Sequence, residues 1–486
     1  MKQIPRKEWK KFVEWYPKIL RKAGIYDDRY PAKGMGVWLP YGFKLREKVY
    51  GYLKKLHTEA GYEQVQFPTL IPEDIFRKEA EHVASFEKEV FWVTRGGLTE
   101  LDKKFVLRPT SETPMYYMFS LWLNSYKDLP FRIFQIVNVF RYETKATHPL
   151  FREREISIFF ESHSAFLTQE EAEEEVRRAV EIYKKFFDYL GIPYIITRRP
   201  DWDKFPGADY TIAFDTLMPN GRTLQIGTVH NLGQNFSKPF DIKVITEKGE
   251  NKHVWQVCFG VSGRVITALV AVHGDDHGPV FPFHVAPIQV VIIPIPMKDG
   301  GISEKVLEKS RKVFELLKKA GISVVLDDKE DETPGSKYYK WELRGVPLRI
   351  EIGPREVKEG KITITRRDNL ERITVSDSEL IEKIKEIGEK MFEDMKQRAM
   401  KFFKENIVEV SSIDKANKMV EEGKIAILPW CGDEKESETL EEIISGRIIG
   451  ILLNKNNLKP EKPREGLKCA ICGKNAKKYL VIAKSY

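Results

Sequence analysis

The sequence predicts three units: an α+β domain built on a mostly antiparallel sheet (1–283), a small α/β domain (284–380) and a small α/β unit with paired cysteines, reached through a connecting helix (381–486). Three observations predict them. At 486 residues the chain exceeds one ordinary domain. Strand-like stretches follow one another through the first half with few helices between them, which argues for antiparallel pairing. Past the proline- and aromatic-rich run from Phe281 to Pro287 the pattern becomes strand, helix, strand, with a largely apolar first strand, as crossover connections require.

Taken in order, Asp27 to Gly42 is rich in glycine, proline and aromatics and reads as irregular surface chain. Phe43 to Ala60 spaces Leu45, Val49, Leu53 and Leu56 as one helical face and ends before Gly61, a C-cap. Tyr62 to Leu70 alternates as a strand running into Pro68. Gln169 to Leu190 is an amphipathic helix, acidic first and more cationic later, which suits the helix dipole. Strands are expected at 131–142, 156–160, 208–214, 223–229 and 252–257. In the second unit 288–295, 322–327, 348–352 and 362–365 read as strands and 303–320 as a helix; a charged helix follows from about Asp377 to Asn406.

Composition narrows the class. Hydrophobic residues make up 42% and charged residues 31%, and 80 Lys plus Arg against 72 Asp plus Glu leave a net +8, compatible with a polyanionic partner. The start of the chain, Met1 to Lys11 with Trp9, has no apolar core of a secretory signal. The longest apolar run, Val285 to Pro296, is too short and too broken for a membrane span, which needs about 20 residues. Four cysteines in a chain this long, two of them as Cys469-x-x-Cys472, fit a reducing compartment. A soluble cytoplasmic protein is expected, with no membrane partner.

Two constellations carry chemistry. Phe140-Arg141-Tyr142-Glu143 is followed by a loop to Arg152. Arg141 offers a planar fork that can hold a carboxylate and a phosphate together, Glu143 can accept from an adenine amino group, and Arg152 can reach a terminal phosphate. Alone, the same residues also fit two surface ion pairs on a hairpin. The second is Phe259-Gly260-Val261-Ser262-Gly263-Arg264, where two glycines allow close backbone approach and an apolar helix follows. Gly260-x-Ser262 lacks the spacing of a hydrolase nucleophile elbow, and no Gly-Lys-Ser/Thr of a Walker loop is present. Alone, this stretch also fits a glycine-packed helix start.

Together, and preceded by Gly61 to Pro68, these stretches resemble the three signature motifs of class II aminoacyl-tRNA synthetases in their required order. Arg108-Pro-Thr110-Ser-Glu112 and Gln225-Ile-Gly-Thr228-Val-His230 resemble loops of the prolyl group, in its archaeal and eukaryotic form. The resemblance implies the class II synthetase fold and a ligase that activates L-proline with ATP and Mg²⁺ and transfers it to tRNA(Pro). It implies that Thr110, Glu112, Arg141 and His230 bind proline. Arg141, Glu143, Arg152, Gln225, Thr228, Ser262 and Arg264 bind ATP, with Arg141, Arg152 and Arg264 stabilising the transition state. Glu161 and His163 resemble an E-x-H pair, for which packing is the expected role. Ile156 stands where some relatives have an aromatic, so Phe151 and Phe159 both remain candidates for stacking on adenine.

The second unit resembles the anticodon-binding domain shared by the prolyl, threonyl, glycyl and histidyl enzymes, which implies that Glu342, Arg349 and Arg355 contact the anticodon. The tail resembles a zinc-binding domain, implying Zn²⁺ on Cys431, Cys469 and Cys472; at the fourth position Glu436 replaces the family's cysteine. A homodimer is implied through Pro68. About 107 residues separate Arg152 from Gly260, so no inserted editing domain is expected, and alanine and cysteine are expected as misactivated substrates. A synthetase-like binding protein without catalysis is the other reading; such proteins usually lose the motif arginines, all three of which stand here.

Overall fold

The computed structural model describes residues 11–78, 87–297 and 300–486; Trp9 lies outside them. Among the described residues the main sheet has eleven strands. Its centre is antiparallel: Phe131–Phe140, Glu155–Phe166, Trp255–Ser262, Arg222–Gly233, Tyr210–Leu217 and Ile195–Arg198 pair successively. Residue Gln169 opens the helix Gln169–Leu190, capped by Thr168 and Glu171 in a reciprocal box and closed by Gly191 at φ 66°. It buries Val176, Val180, Tyr183, Phe187 and Leu190 against one face of the sheet, with the helices Pro40–Glu59 and Arg264–His273 in the same core.

Of the strand expected over 62–70, Glu63–Gln64 forms and pairs parallel to Phe131–Phe140, while Leu70 begins a separate strand, Leu70–Pro72, in another sheet. Side chains then replace strand partners. The Phe67 N–H donates to Gln135 Oε1 (2.9 Å), and Arg108 Nη1 donates to the carbonyls of Phe67 (2.7 Å) and Pro68 (3.2 Å).

In the second unit Val290–Pro294 pairs parallel with Val324–Leu326 and with Leu348–Ile352, and Lys361–Arg366 and Arg372–Ser376 continue the sheet antiparallel. The helix Leu380–Glu405 spans about 39 Å at 1.5 Å per residue. Its first half (Leu380, Ile384, Ile387, Met391) lies in the core of the second unit, Ala399 in that of the first and Phe403 in that of the tail. The tail does not stand apart. Arg447–Leu452 pairs with Ile195–Arg198, and Lys478–Ser485 runs parallel to the start of Arg222–Gly233, so the carboxy-terminal strands extend the main sheet.

Candidate active site

Opposite the Gln169–Leu190 helix the main sheet carries a cavity of about 450 Å³. Thr110, Glu112, Arg141, Glu143, Arg152, Gln225, Thr228, His230, Ser262 and Arg264 all line it, and so do both Phe151 and Phe159. Four separate stretches supply them. Glu112 opens the helix Glu112–Trp122, where a carboxylate is favoured by the dipole. Arg141 to Arg154 form the hairpin loop between two central strands, the second of which carries Phe159; Arg222–Gly233 brings Gln225, Thr228 and His230, and Trp255–Ser262 brings Ser262 and leads into the helix that Arg264 opens.

At one end the walls are polar and tightly bonded. Thr110 Oγ1 donates to Glu112 Oε2, and Cys258 Sγ lies 3.6 Å from Glu112 Oε1. Glu161 Oε1 accepts from Ser111 Oγ (2.5 Å) and Gln135 Nε2 (2.7 Å). Burial opposes ionisation of Glu161, but His163 and these two donors outweigh it and hold its carboxyl below the usual range. His163 is also bonded to Tyr116 Oη (3.0 Å). His230 shares a hydrogen bond with Thr211 Oγ1 (2.9 Å) and packs on Phe205 with ring centroids 4.5 Å apart. Burial, with His163 adding to it, pushes the His230 pKa down to about 3, so the ring is neutral.

At the other end three guanidinium groups converge. Arg141 Nε donates to the Pro109 carbonyl (3.3 Å), and Arg264 Nε to the Phe151 carbonyl (3.1 Å). Arg152 Nε is 3.9 Å from Glu143 Oε2. Burial, then the like charges of Arg141 and Arg152, push Arg264 down to about 10, and burial lowers Arg141 as well. The loop is held close to the helix start at Gly263, where a Cβ would meet the Leu150 carbonyl at 3.0 Å. Leu150 itself adopts φ 65°, a left-handed conformation that costs a leucine about 1–3 kcal/mol. Cations crowded in this way can take a polyanion between them.

Glu161 and His163, expected only to pack, line the cavity, as does Cys258. Strand alternation places Phe159, Glu161 and His163 on one face, a signal present in the sequence. The anticodon candidates lie elsewhere. Glu342 accepts from Arg349 Nη1 (2.7 Å) and lies 3.3 Å from His277 Nδ1, and the Arg349 guanidinium sits 3.8 Å over the Tyr338 ring. Arg355 is exposed and pairs with Glu359 on its own helix, outside that network. In the tail, donor atoms of Cys431, Glu436, Cys469 and Cys472 lie within 4.8 Å of one another.

Comparison with known proteins gives three family matches: the tRNA synthetase class II core domain (G, H, P, S and T) over 91–273, the anticodon binding domain over 289–387 and the prolyl-tRNA synthetase C-terminal domain over 413–486. The proline–tRNA ligase of Methanopyrus kandleri is 51% identical over 99% of this chain and 97% of its own length. That of Sulfurisphaera tokodaii is 49% identical over the whole of both. Among solved structures, Giardia lamblia prolyl-tRNA synthetase in complex with prolyl-adenylate superposes with a TM-score of 0.94 at 36% identity, covering all of both chains. The Cryptosporidium parvum enzyme complexed with halofuginone and AMPPNP gives 0.93 at 33%, covering all of this chain and 99% of that one.

Proposed function

The chain belongs to the proline–tRNA ligases, class II aminoacyl-tRNA synthetases, and we propose that the cavity on its main sheet is where proline meets ATP. One observation carries the assignment: ten residues from four distant stretches converge on one cavity, bonded carboxylates at one end and crowded guanidiniums at the other. Proline lies with its imino nitrogen against Glu112 and Thr110. His230, neutral through burial, walls the pocket without repelling the imino cation. Arg141 holds the carboxylate. ATP occupies the cationic end, with Glu143 at the adenine amino group, Gln225, Thr228 and Ser262 along the nucleotide, and Arg152 and Arg264 on the phosphates.

A proline carboxylate oxygen attacks the α-phosphorus, and the bond to the bridging oxygen breaks in line. Pyrophosphate leaves with the electron pair. The nucleophile is already an anion, so the site supplies orientation and positive charge rather than a base. Mg²⁺ arriving with ATP adds charge at the phosphates. A ribose hydroxyl at the 3′ end of tRNA(Pro) then attacks the activated carbonyl, and AMP leaves.

The residues between Arg152 and Gly260 complete the catalytic sheet and its long helix, which supports the reading that no editing domain is inserted. A pocket that recognises proline by shape rejects smaller analogues by only about 1–3 kcal/mol. Alanine and cysteine therefore support exchange of labelled pyrophosphate into ATP, at kcat/KM values about 10–200-fold below proline. Absence of proline-dependent exchange overturns the assignment; absence with both analogues overturns misactivation alone.

The other parts follow. The chain is divided as 1–283, 284–380 and 381–486, with the anticodon read by Glu342, Arg349 and Arg355. The tail holds Zn²⁺. Cys431 Sγ is 3.1 Å from Glu436 Oε2 and 3.8 Å from Cys472 Sγ, and Cys469 Sγ is 3.8 Å from Glu436 Oε2. Three sulfurs and a carboxylate this close fit a four-coordinate structural site, so metal analysis gives one zinc per chain, lost in Glu436→Ala. The chain forms a homodimer. Leu121, Trp122 and Ile245 are exposed, and the Trp122 ring lies 5.8 Å from that of Phe67, next to Pro68. No helix among the described residues is long and apolar enough to cross a membrane, which accords with action in the cytoplasm.

A further inference from the structure

Directly after the strand Ile195–Arg198 comes a buried arginine with no part in the chemistry above. Arg199 Nη2 donates to Asp215 Oδ1 (2.9 Å) and to Gln225 Oε1 (2.9 Å). Its Nη1 donates to the Ile449 carbonyl, which also accepts from Thr197 Oγ1 (3.0 Å). Ile449 belongs to Arg447–Leu452, the tail strand that joins the main sheet, at the point where its register shifts. One guanidinium therefore touches the nucleotide wall, a fully buried carboxylate and the carboxy-terminal unit.

A guanidinium carries donors only, so the edge of the Gln225 amide that meets it must be oxygen. The NH₂ edge is then left for the cavity that Gln225 lines. Without that partner the two ends of the amide are nearly equivalent, and the side chain would present an acceptor to the electron-rich nucleotide about as readily as a donor. Asp215 explains why the arginine stays. Burial raises its carboxyl above the usual range while Arg199 opposes the shift, so each group stabilises the other's charge.

We infer that Arg199 is a positioning residue that fixes Gln225 as a hydrogen-bond donor toward the nucleotide and makes that setting depend on how the tail strand is seated. The inference rests on the reading of Gln225 as a nucleotide-binding residue.

The test is pyrophosphate exchange by the full chain, with ATP and proline varied separately, on Arg199→Lys, Gln225→Ala and the double variant. One lost hydrogen bond raises the ATP KM about fivefold in Gln225→Ala, with the proline KM within about twofold. Arg199→Lys keeps a cation beside Asp215 but loses the fork, and shows the same split. In the double variant the ATP KM is no worse than in Gln225→Ala alone, because the arginine acts only through the glutamine. An unchanged ATP KM in Gln225→Ala overturns the nucleotide role of Gln225 and this inference with it. A normal Gln225→Ala effect beside equal rises of both KM values in Arg199→Lys, or effects that multiply in the double variant, overturns the inference alone and leaves Arg199 a structural ion pair. Should Arg199→Lys fail to fold, Asp215→Asn decides: a smaller rise confined to the ATP KM supports the inference, and no rise overturns it.

Discussion

Two cationic regions of this molecule are built on opposite electrostatic plans. In the cavity, Arg141, Arg152 and Arg264 crowd one another, and Arg264 is pushed down to about 10 by burial and by its two neighbours. In the second unit, Glu342 takes Arg349 (2.7 Å), while Glu351 takes Arg349 (3.1 Å), Arg372 (2.6 Å) and Thr365 (3.0 Å). On the reading proposed above, the like-charge contact in the first arrangement is relieved when a triphosphate binds. The second pairs two carboxylates with two guanidiniums, and on the same reading an RNA base exchanges with partners already in place. Cations in like-charge contact favour strong binding of an anion; a network closed on itself favours discrimination, since a wrong base leaves it broken.

The largest effect expected from this contrast is at Arg141. Arg141→Lys keeps the charge but loses the fork that the proposed reading sets across proline carboxylate and α-phosphate, and proline-dependent exchange should fall about 10³-fold in kcat/KM. Next comes Glu342→Gln. It leaves exchange within about twofold and raises the tRNA KM in aminoacylation about tenfold, the worth of one base contact. If Glu342→Gln depresses exchange as deeply as Arg141→Lys, the two regions are not separate in function and the contrast fails.

How the cavity could be read from sequence follows from where its residues sit. Arg141 and Glu143, Gln225, Thr228 and His230, and Ser262 and Arg264 each lie within a few residues of one another in the chain, so local spacing carries their relation. Glu161 and His163 were legible in part: alternation from Phe159 puts them on the cavity face, but nothing local says which face is wet. Arg199 was not legible at all. Its partners are 16, 26 and 250 residues away, and the most distant is a backbone carbonyl with no side-chain signature. The same reason hides the extension of the main sheet by Arg447–Leu452 and Lys478–Ser485, since backbone pairing at that separation leaves no pattern. The shortened strand at Glu63–Gln64 has a different cause: Gln135 and Arg108 occupy the backbone groups that a sheet partner would have used.

The smallest predicted effect separates the two plans by pH. Glu153 lines the cavity, yet burial pushes its carboxyl up to about 8 against the opposing hydrogen bonds from Leu150 and from Tyr26 Oη (2.7 Å). A carboxyl raised on folding is neutral in both states at low pH, so its penalty is absent there. The penalty grows as pH rises from the ordinary carboxylate range and levels off above about 8. Glu153→Gln keeps an acceptor for Tyr26 and cannot ionise. Its Tm should match wild type near pH 4.5, exceed it by a margin that widens between pH 5 and 8, and hold that margin above, with a ceiling of about 2–4 °C per kcal/mol recovered. Glu351→Gln, in the balanced network, should do the reverse and lower Tm throughout the neutral range, because Arg349 and Arg372 lose their shared partner. A Glu153→Gln margin that does not vary with pH would place one more ionised carboxylate in a wall that already holds Glu112, Glu143 and Glu161, and the two regions would then differ in degree rather than in plan.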